Sequence, residues 1–285
     1  MQIHYRLIIL YHFNKEEKML RKILMLIITG FVLSCFAGQE IIMSGSTTVL
    51  PIAQKTAEVF MSKHPDIKIT VRGGGSGVGI ASLIDKTCNI ANSSRSMKDK
   101  EIQTATGKGV NPKANVVAVD GIAVIVHPSN PLKGLTAKQV KEIYTGKISN
   151  WAQLGGANTR IVVISRDSAS GTFEAFGELA LHGEKVRPDA LMEASNQAVA
   201  TTVAQTPGAI GYVGLGYVSS SVKLLSIDGI IPSKQTVIKK QYKYARPLFM
   251  YTNGEPKGTI KSYIDFVTGK EGQKIVEEVG FIGLH

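Results

Sequence analysis

The stretch Ile161–Phe173, with the sequence IVVISRDSASGTF, predicts a strand, a polar turn and a helix in direct succession. Its first five residues are apolar or small, which is typical of a short buried strand. Arg166 then opens a turn rich in hydroxyl groups, and a helical pattern begins after Phe173. Free backbone N–H groups at a helix start, hydroxyls beside them and a planar guanidinium suit a tetrahedral oxyanion. The stretch therefore predicts part of an anion-binding site.

Two more stretches follow the same plan. Ile41–Pro51 (IIMSGSTTVLP) runs from a short apolar strand through a hydroxyl-rich turn to a helix with proline in its first turn. Ile67–Leu83 (IKITVRGGGSGVGIASL) has an alternating strand, a glycine-rich turn that contains Ser76, and a helix. A fourth hydroxyl cluster, Ser93–Arg95 (SSR), follows the apolar Cys88–Ala91. One such turn is often only a helix cap, but four of them, two with arginines, indicate a common pocket.

Strands alternate with helices along most of the chain, which predicts an α/β fold. Val116–His127 is a long apolar run broken by Asp120 and Gly121. It is long for one strand, so it predicts either two strands or one strand that crosses between lobes. Pro247–Tyr251 is a second apolar strand that can cross back, and Pro188–Glu193 is predicted to be helical.

Composition narrows the class of ligand. The chain has 285 residues, 44% of them hydrophobic and 19% charged, with a formal net charge of +11. This length and apolar content support one large domain or two lobes with real cores. The positive charge suits an anionic ligand or a negatively charged membrane surface. Nucleic acid is not expected as a partner, because the lysines are scattered and form no basic run.

Sequence motifs for catalysis, nucleotides and metals are missing. The glycine-rich Gly73–Gly79 lacks Gly or Ala at the sixth position of a dinucleotide fingerprint, and no P-loop lysine follows it. No G-x-S-x-G elbow occurs, and the six histidines are too dispersed for a metal motif. Spacing leaves a Ser-His-Asp arrangement open, since triads assemble in three dimensions. Hydroxyls, N–H groups and arginines predict a binding protein without cofactor or metal, not an enzyme.

The first 35 residues are predicted to be a signal peptide that ends in a lipidation site. Met19 begins a positively charged region, and Ile23–Leu33 is an apolar run of about eleven residues, too short to span a membrane. The Val-Leu-Ser-Cys sequence that ends at Cys35 resembles a bacterial lipobox, so Cys35 is the expected lipid anchor and Met19 a candidate for the true start. The alternative is an ordinary secretory signal with an incidental cysteine. With Cys35 modified, Cys88 is expected to be a small buried core residue.

Six stretches give the chain a specific resemblance to a known family. Residues 41–285 resemble the phosphate-binding proteins of bacterial ABC phosphate uptake, in the lipoprotein branch, and the stretches occur in the family's order. They are Ser44–Pro51 (SGSTTVLP), Gly73–Gly79 (GGGSGVG), Asn89–Arg95 (NIANSSR), Gly134–Trp151 (GLTAKQVKEIYTGKISNW), Arg166–Thr172 (RDSASGT) and Gly208–Val213 (GAIGYV). The resemblance implies a protein that captures inorganic phosphate outside the cytoplasmic membrane and hands it to an ABC permease.

The resemblance also implies the architecture and the partners. The expected fold is α/β with two lobes of the periplasmic-binding-protein type, joined by two crossing strands, with the ligand in the cleft and a hinge that closes over it. Lobe I is expected to comprise residues 40–122 and 245–285, and lobe II residues 123–244. The expected partners are phosphate, the membrane subunits of the permease, and the membrane itself through the lipid anchor. A monomer in the periplasm or cell envelope is expected.

Carried over residue by residue, the resemblance names ligands in both lobes. Arg166 is expected to form the charged clamp, and Asn196 to reach the pocket rim. The expected phosphate ligands are Ser46, Thr47, Thr48, Ser76, Gly77, Ser94 and Arg95 in lobe I, and Arg166, Ser168, Ser170, Gly171 and Thr172 in lobe II.

Two positions depart from the family's pattern and leave selectivity open. Ser94 and Ser168 stand where the best-studied branch has carboxylates. A carboxylate accepts the proton of phosphate and repels sulfate, which has no proton to donate. Asp167 is the nearest carboxylate in the sequence. The first alternative ligand is therefore another oxyanion, such as sulfate or molybdate; a surface lipoprotein that uses the fold as a scaffold is the second alternative, and a hydrolase the third.

Overall fold

The computed structural model describes residues 39–285, which contain eleven strands and nine α-helices. The expected signal peptide, the start at Met19 and the lipid-anchor Cys35 lie outside the described residues. Among the helices within 39–285, none is both long enough and apolar enough to cross a membrane.

The first part of the chain alternates strands and helices. Pro51 lies in the first turn of the first helix, where a missing N–H costs nothing, and that helix buries Ile52, Ala53 and Phe60 in the core. The second helix begins directly after its strand because Gly75 adopts a φ of 98°. The elements are β1 (Gln39–Gly45), α1 (Leu50–Lys63), β2 (Ile67–Gly74), α2 (Ser76–Ile84), β3 (Ile90–Ser93) and α3 (Asp99–Gly107).

Two long strands occupy the centre of the sheet. β4 (Pro112–Val126) is one continuous strand of 15 residues, and β11 (Ala245–Asn253) runs antiparallel to it. Residues 112–121 of β4 pair with β11, whereas residues 122–126 pair with β8 (Ala209–Gly214). The two crossing strands expected from the sequence are thus present. Of the two interpretations of the long apolar run, the single crossing strand is correct.

The second part of the chain again alternates strands and helices. Thr136 and Ser170 begin two of these helices, each accepting a hydrogen bond from the backbone N–H three residues on. The elements are β5 (Gly134–Leu135), α4 (Ala137–Tyr144), β6 (Val162–Arg166), α5 (Gly171–Leu179), β7 (Leu191–Glu193), α6 (Asn196–Gln205), β9 (Lys223–Leu224), β10 (Ser226–Ile227), α7 (Lys234–Ile238), α8 (Gly258–Thr268) and α9 (Lys270–Glu278). Two short 3₁₀ helices cover Trp151–Leu154 and Leu215–Tyr217.

The main sheet has the strand order β2-β1-β3-β11-β4-β8-β6-β7, with β9 beside β4, and β5 pairs with β10 separately. Strands β1–β3 therefore lie on one side of the central pair, and β6–β8 on the other. We call these sides lobe I and lobe II. Each has its own apolar core, the first around Met43, Phe60 and Leu248, the second around Phe176 and Tyr212. The prediction of two α/β lobes joined by two crossing strands is confirmed.

One local prediction is wrong. Pro188–Glu193 is not helical, because Leu191–Glu193 forms the edge strand β7, parallel to β6, with Leu191 opposite Ile164. Leu191 and Met192 are 50% and 52% exposed, so the segment has no apolar face for a helix to bury. Its backbone instead satisfies the open edge of β6.

Candidate anion-binding site

The turns singled out in the sequence meet between the lobes. Thr48 Oγ1 of lobe I lies 2.9 Å from Thr172 Oγ1 of lobe II, and Gly77 N donates to Ala169 O at 2.9 Å. We call the group the cradle and define it by nine buried residues: Ser46, Thr47, Thr48, Ser76, Ser94, Arg166, Ser170, Gly171 and Thr172. The expected ligand Gly77 is half-buried and takes part through its backbone.

Hydroxyl groups of the cradle satisfy the starts of the helices around it. Ser46 Oγ accepts hydrogen bonds from Thr48 N (3.1 Å) and Val49 N (3.3 Å) just before α1. Ser170 Oγ accepts one from Phe173 N (3.2 Å) at the start of α5. A hydroxyl oxygen that accepts from the backbone keeps its own hydrogen for a ligand. The amino termini of helices also present free N–H groups and partial positive charge. The cradle is therefore rich in hydrogen-bond donors for an anion.

Arg166 is the main cation of the cradle. Its side chain is 1% exposed; its Nε donates to Glu193 O (2.9 Å), and its Nη2 donates to Ala194 O (3.1 Å) and Thr47 Oγ1 (3.3 Å). Its Nη1 is buried and has no hydrogen-bond partner among residues 39–285, and burial lowers the pKa of Arg166. Of the buried arginines within residues 39–285, Arg166 alone has no carboxylate within ion-pair distance. A buried cation of this kind is energetically unfavourable unless an anion pairs with it.

A second buried arginine, which the sequence did not reveal, joins the cradle to the crossing strands. Arg246 of β11 pairs with Asp120 of β4 through Nε (3.1 Å) and Nη2 (2.9 Å). Burial raises the pKa of Asp120 and lowers the pKa of Arg246, and the attraction within the pair opposes both shifts. The sequence signal was Asp120 itself, a carboxylate inside an apolar run. Arg246 also donates to four oxygens of the cradle: Ser94 O (3.1 Å), Gly171 O (3.2 Å), Thr172 Oγ1 (3.0 Å) and Thr48 Oγ1 (3.3 Å).

Asn196 lies deeper than expected. The family resemblance implies a position at the rim of the pocket, but Asn196 is fully buried at the start of α6. Its Nδ2 donates to Thr47 Oγ1 and Thr48 Oγ1, both at 3.0 Å, and its Oδ1 accepts from Gly214 N at 3.1 Å. Asn196 therefore holds two hydroxyls of lobe I against lobe II.

Two expected ligands have other surroundings. Ser168 is exposed, and the Arg95 guanidinium makes two 2.8 Å hydrogen bonds to Glu101 and a 2.9 Å ion-pair contact with Glu174. The structure therefore brings neither side chain into the cradle. Asp167, the nearest carboxylate in the sequence, is half-buried, and its Oδ1 accepts a 2.8 Å hydrogen bond from the backbone two residues on.

The two lobes approach each other closely along the glycine-rich turn. Gly75 has a positive φ, and a Cβ at this position would lie 2.5 Å from Ala169 O, so both the backbone and the neighbouring lobe require glycine here. Tyr217 of lobe II donates its hydroxyl hydrogen to Thr47 O. Together with the Gly77 hydrogen bond, these contacts close the lobes over the cradle.

The cradle offers donors and one uncompensated charge. Within the described residues, no group of three or more His, Cys, Asp or Glu side chains is placed to hold a metal ion. The buried Asp120 is occupied by Arg246 and by Leu215 N (2.9 Å), so it is not free to take a proton from a hydroxyl. Such a set of groups binds an oxyanion by charge and hydrogen bonds, without a covalent step.

Two α/β lobes closed over a buried set of anion-binding groups define a solute-binding protein. The family model of the PBP superfamily domain matches residues 36–271, most of the chain. The phosphate-binding protein PstS of Bacillus subtilis (strain 168) is 36% identical over 251 residues, 86% of this chain and 81% of that protein. PstS of Borreliella burgdorferi is 34% identical over 252 residues, 84% of this chain and 88% of that protein. The chain belongs to the PstS family of phosphate-binding proteins, which are binding proteins and not enzymes.

Solved structures show the same architecture. A putative phosphate ABC transporter substrate-binding protein from Clostridium perfringens, with bound phosphate, has a TM-score of 0.81 and 36% identity, and the match covers 87% of this chain and all of that one. An ABC-type phosphate transport receptor from Vibrio cholerae has a TM-score of 0.70 and 31% identity over 85% of this chain and 99% of its own.

Proposed function

We propose that the protein binds inorganic phosphate in the cradle, outside the cytoplasmic membrane, and delivers it to an ABC permease. The observation that carries the proposal is the buried Arg166: among residues 39–285, its Nη1 has no hydrogen-bond partner, and no carboxylate lies within ion-pair distance of its guanidinium. Phosphate supplies the missing negative charge and accepts hydrogen bonds from the hydroxyls and N–H groups around it. The relatives described as phosphate-binding proteins, and a related structure with bound phosphate, support the same ligand.

The proposed ligands are the nine cradle residues together with Gly77. Arg95 and Ser168, the other two expected ligands, are not part of this proposed set, because both side chains have other surroundings in the closed conformation. We propose lobe I as residues 40–122 and 245–285 and lobe II as residues 123–244. The change of partner along β4 between Gly121 and Ile122, and the start of β11 at Ala245, support these boundaries.

Calorimetric titration of the purified protein, stripped of bound ligand, tests the proposal. We expect saturable binding of one phosphate per chain on either side of neutral pH. Titration without heat, combined with a melting temperature that phosphate does not change, would refute phosphate binding. In that case the alternative of a surface lipoprotein that uses the fold as a scaffold would describe the protein better.

The second candidate ligand is another oxyanion. The surroundings of the two carboxylates near the cradle are the reason. Asp120 is occupied by Arg246, and the Oδ1 of Asp167 accepts a hydrogen bond within its own turn, so neither carboxylate is committed to the proton of phosphate. Sulfate, which carries no proton at neutral pH, meets less repulsion in a site where no carboxylate is committed to accepting a proton from the ligand. Competition titrations with sulfate and molybdate decide between the candidates. Phosphate binding that sulfate does not displace supports the first, and equal affinities support a general oxyanion receptor.

We also propose that the protein is a monomer held at the membrane by a lipid on Cys35. The support is the Leu-Ser-Cys sequence at 33–35, which follows a charged and then an apolar segment. Several acyl chains on one cysteine give stable anchoring. Cys35→Ser is expected to move the protein from the membrane fraction to the soluble fraction. A membrane-bound wild-type protein whose Cys35 carries no lipid by mass spectrometry would refute the anchor.

A further inference from the structure

A group of charged side chains bridges the lobes beside the cradle. Glu174 lies in the first turn of α5, the helix whose start forms the lobe II part of the cradle. Its Oε2 is 2.9 Å from Arg95 Nε and 2.7 Å from Lys98 Nζ. Arg95 and Lys98 follow β3 in lobe I. The contacts of Glu174 therefore cross from one lobe to the other.

Arg95 is held in place from its own lobe. Both oxygens of Glu101 accept hydrogen bonds from its guanidinium at 2.8 Å, and Glu101 Oε2 also accepts from Lys98 N at 2.8 Å. When the lobes separate, Arg95 keeps this partner, so opening does not strand a buried arginine. On the lobe II side, the carboxylate of Glu174 becomes hydrated again. The contact across the lobes is therefore one that forms and breaks reversibly.

Because they are partly buried, these ion pairs interact more strongly than an ion pair on the surface. The side chains of Arg95 and Glu174 are only 8% and 14% exposed, so the charges interact in a medium less polar than water. The side chain of Lys98 remains 58% exposed. The group lines a surface pocket of about 400 Å³ that Ser94 and Arg246 of the site also border. Solvent ions thus reach the pair of Lys98 and Glu174, which makes that pair sensitive to salt, while the more buried pair of Arg95 and Glu174 is screened less.

We propose that Glu174, Arg95 and Lys98 form an ion-pair latch that holds the lobes closed and sets how long the anion stays bound. The inference rests on the proposed function, and it assigns to Glu174, Arg95 and Lys98 roles that the proposed function does not specify. Arg95 acts as a positioning residue through Glu174 and does not touch the anion. Glu174 lies only two positions after Thr172, in the same turn of α5, so movement of the latch is transmitted to the cradle.

Stopped-flow measurement of phosphate release from the full-length protein tests the latch. In Glu174→Gln we expect release to be roughly three- to tenfold faster, with a nearly unchanged association rate, as for loss of a partly buried ion pair. The dependence of the release rate on salt is expected to weaken. Glu178→Gln is the matched control, because Glu178 lies one turn later on α5, is exposed and has no ion pair within the described residues. Equal release from the two variants would overturn the latch.

A double-mutant cycle separates a latch from a ligand. If Arg95 acts only through Glu174, Arg95→Met releases phosphate about as fast as Glu174→Gln, and the double variant is no faster than either. If Arg95 binds phosphate directly, Arg95→Met weakens binding far more than Glu174→Gln, and that outcome would also overturn the proposal. Thermal unfolding of each variant checks that it is folded.

A measurement without ligand keeps the latch distinct from the proposed function. Small-angle X-ray scattering of the ligand-free proteins is expected to show a larger radius of gyration for Glu174→Gln than for Glu178→Gln, because more molecules are open. If the wild type does not bind phosphate but this difference appears, the latch stands and the ligand is wrong. If phosphate binds and the variants do not differ in either measurement, the latch is wrong and the function stands.

Discussion

Thr47 and Thr48, in the turn before α1, each have a hydroxyl oxygen that already accepts hydrogen bonds. Thr47 Oγ1 accepts from Arg166 Nη2 and Asn196 Nδ2, and Thr48 Oγ1 accepts from Arg246 Nη2 and Asn196 Nδ2. With both lone pairs occupied, Thr47 keeps its hydroxyl hydrogen for a ligand, whereas Thr48 donates its own to Thr172 Oγ1, 2.9 Å away. Because these groups are oriented before a ligand arrives, less ordering is needed when it binds.

At this residue scale, Arg166→Met is expected to weaken phosphate binding about a hundredfold, or roughly 3 kcal/mol, because the anion loses its charged partner in a buried site. Arg160→Met is the control, since Arg160 is 73% exposed and pairs with Asp189 at the surface. Calorimetry measures both affinities. If the two variants bind equally well, Arg166 does not hold the anion.

The hydroxyl of Thr172 can be tested separately from its shape. Thr172→Val removes the donor but keeps the volume, and we expect about tenfold weaker phosphate binding, the effect of one lost hydrogen bond. Thr172→Ser keeps the hydroxyl and is expected to stay close to wild type. The dissociation constants of the pair provide the measurement, and a serine variant as weak as the valine variant would contradict a hydrogen bond from Thr172.

At the scale of secondary-structure elements, the start of α3 depends on Glu101. Its carboxylate accepts from Lys98 N and from the guanidinium of Arg95. Burial alone would raise the pKa of Glu101, but the hydrogen bonds from Arg95 and the Lys98 backbone outweigh it and hold the pKa below its ordinary value. The folded protein therefore takes up this proton less readily than the unfolded chain.

Glu101→Gln is expected to lower the free energy of unfolding at neutral pH and to have little effect in acid. Because the folded pKa is the lower one, the stabilisation is fully present above the ordinary pKa of the carboxyl and is lost as the pH falls through the folded pKa. Urea unfolding of both proteins, from neutral pH downward, measures the difference. A difference that stays constant with pH would show that the carboxylate charge is not responsible.

The two central strands are joined by the buried pair of Asp120 and Arg246. Asp120→Asn leaves the arginine charged and buried without a counter-ion, so we expect a loss of about 3–5 kcal/mol in the free energy of unfolding. Asp85→Asn is the control, because its ion pair with Lys108 is about half exposed on both sides and is expected to contribute about 1 kcal/mol or less. Urea midpoints compare them, and equally small effects would contradict a structural role for the buried pair.

For the molecule as a whole, local sequence signals predicted much of the fold and the cradle. Alternating strands and helices predicted the α/β fold, whereas the two lobes were implied by the family resemblance. The hydroxyl-rich turns predicted most cradle residues, because the start of a helix is marked by residues within a few positions of it. The pair of Asp120 with Arg246 was not predictable, since these residues meet only when β4 and β11 have paired. Strand β7 was missed for a similar reason, because the open edge of β6 imposes its conformation.

Phosphate is expected to stabilise the molecule as one unit. A ligand that binds only the folded state adds about 2.7 kcal/mol at a hundredfold excess over its dissociation constant, so the melting temperature rises with phosphate concentration. Because β4 pairs with strands of both lobes, we expect a single transition that shifts as a whole. Differential scanning calorimetry measures this, and two transitions of which phosphate moves only one would contradict it.

The position of β11 has a consequence for biosynthesis. In the sheet it lies between β3 and β4, yet in the chain it follows every strand of lobe II. A ribosome therefore completes residues 123–244 before the strand that fills lobe I exists. Until then β3 and the first part of β4 lack the neighbour between them, and unpaired strand edges invite wrong pairing. We therefore expect the sheet of lobe I to be completed only after residue 253 has been synthesised, because β11 is the last strand in chain order within residues 39–285.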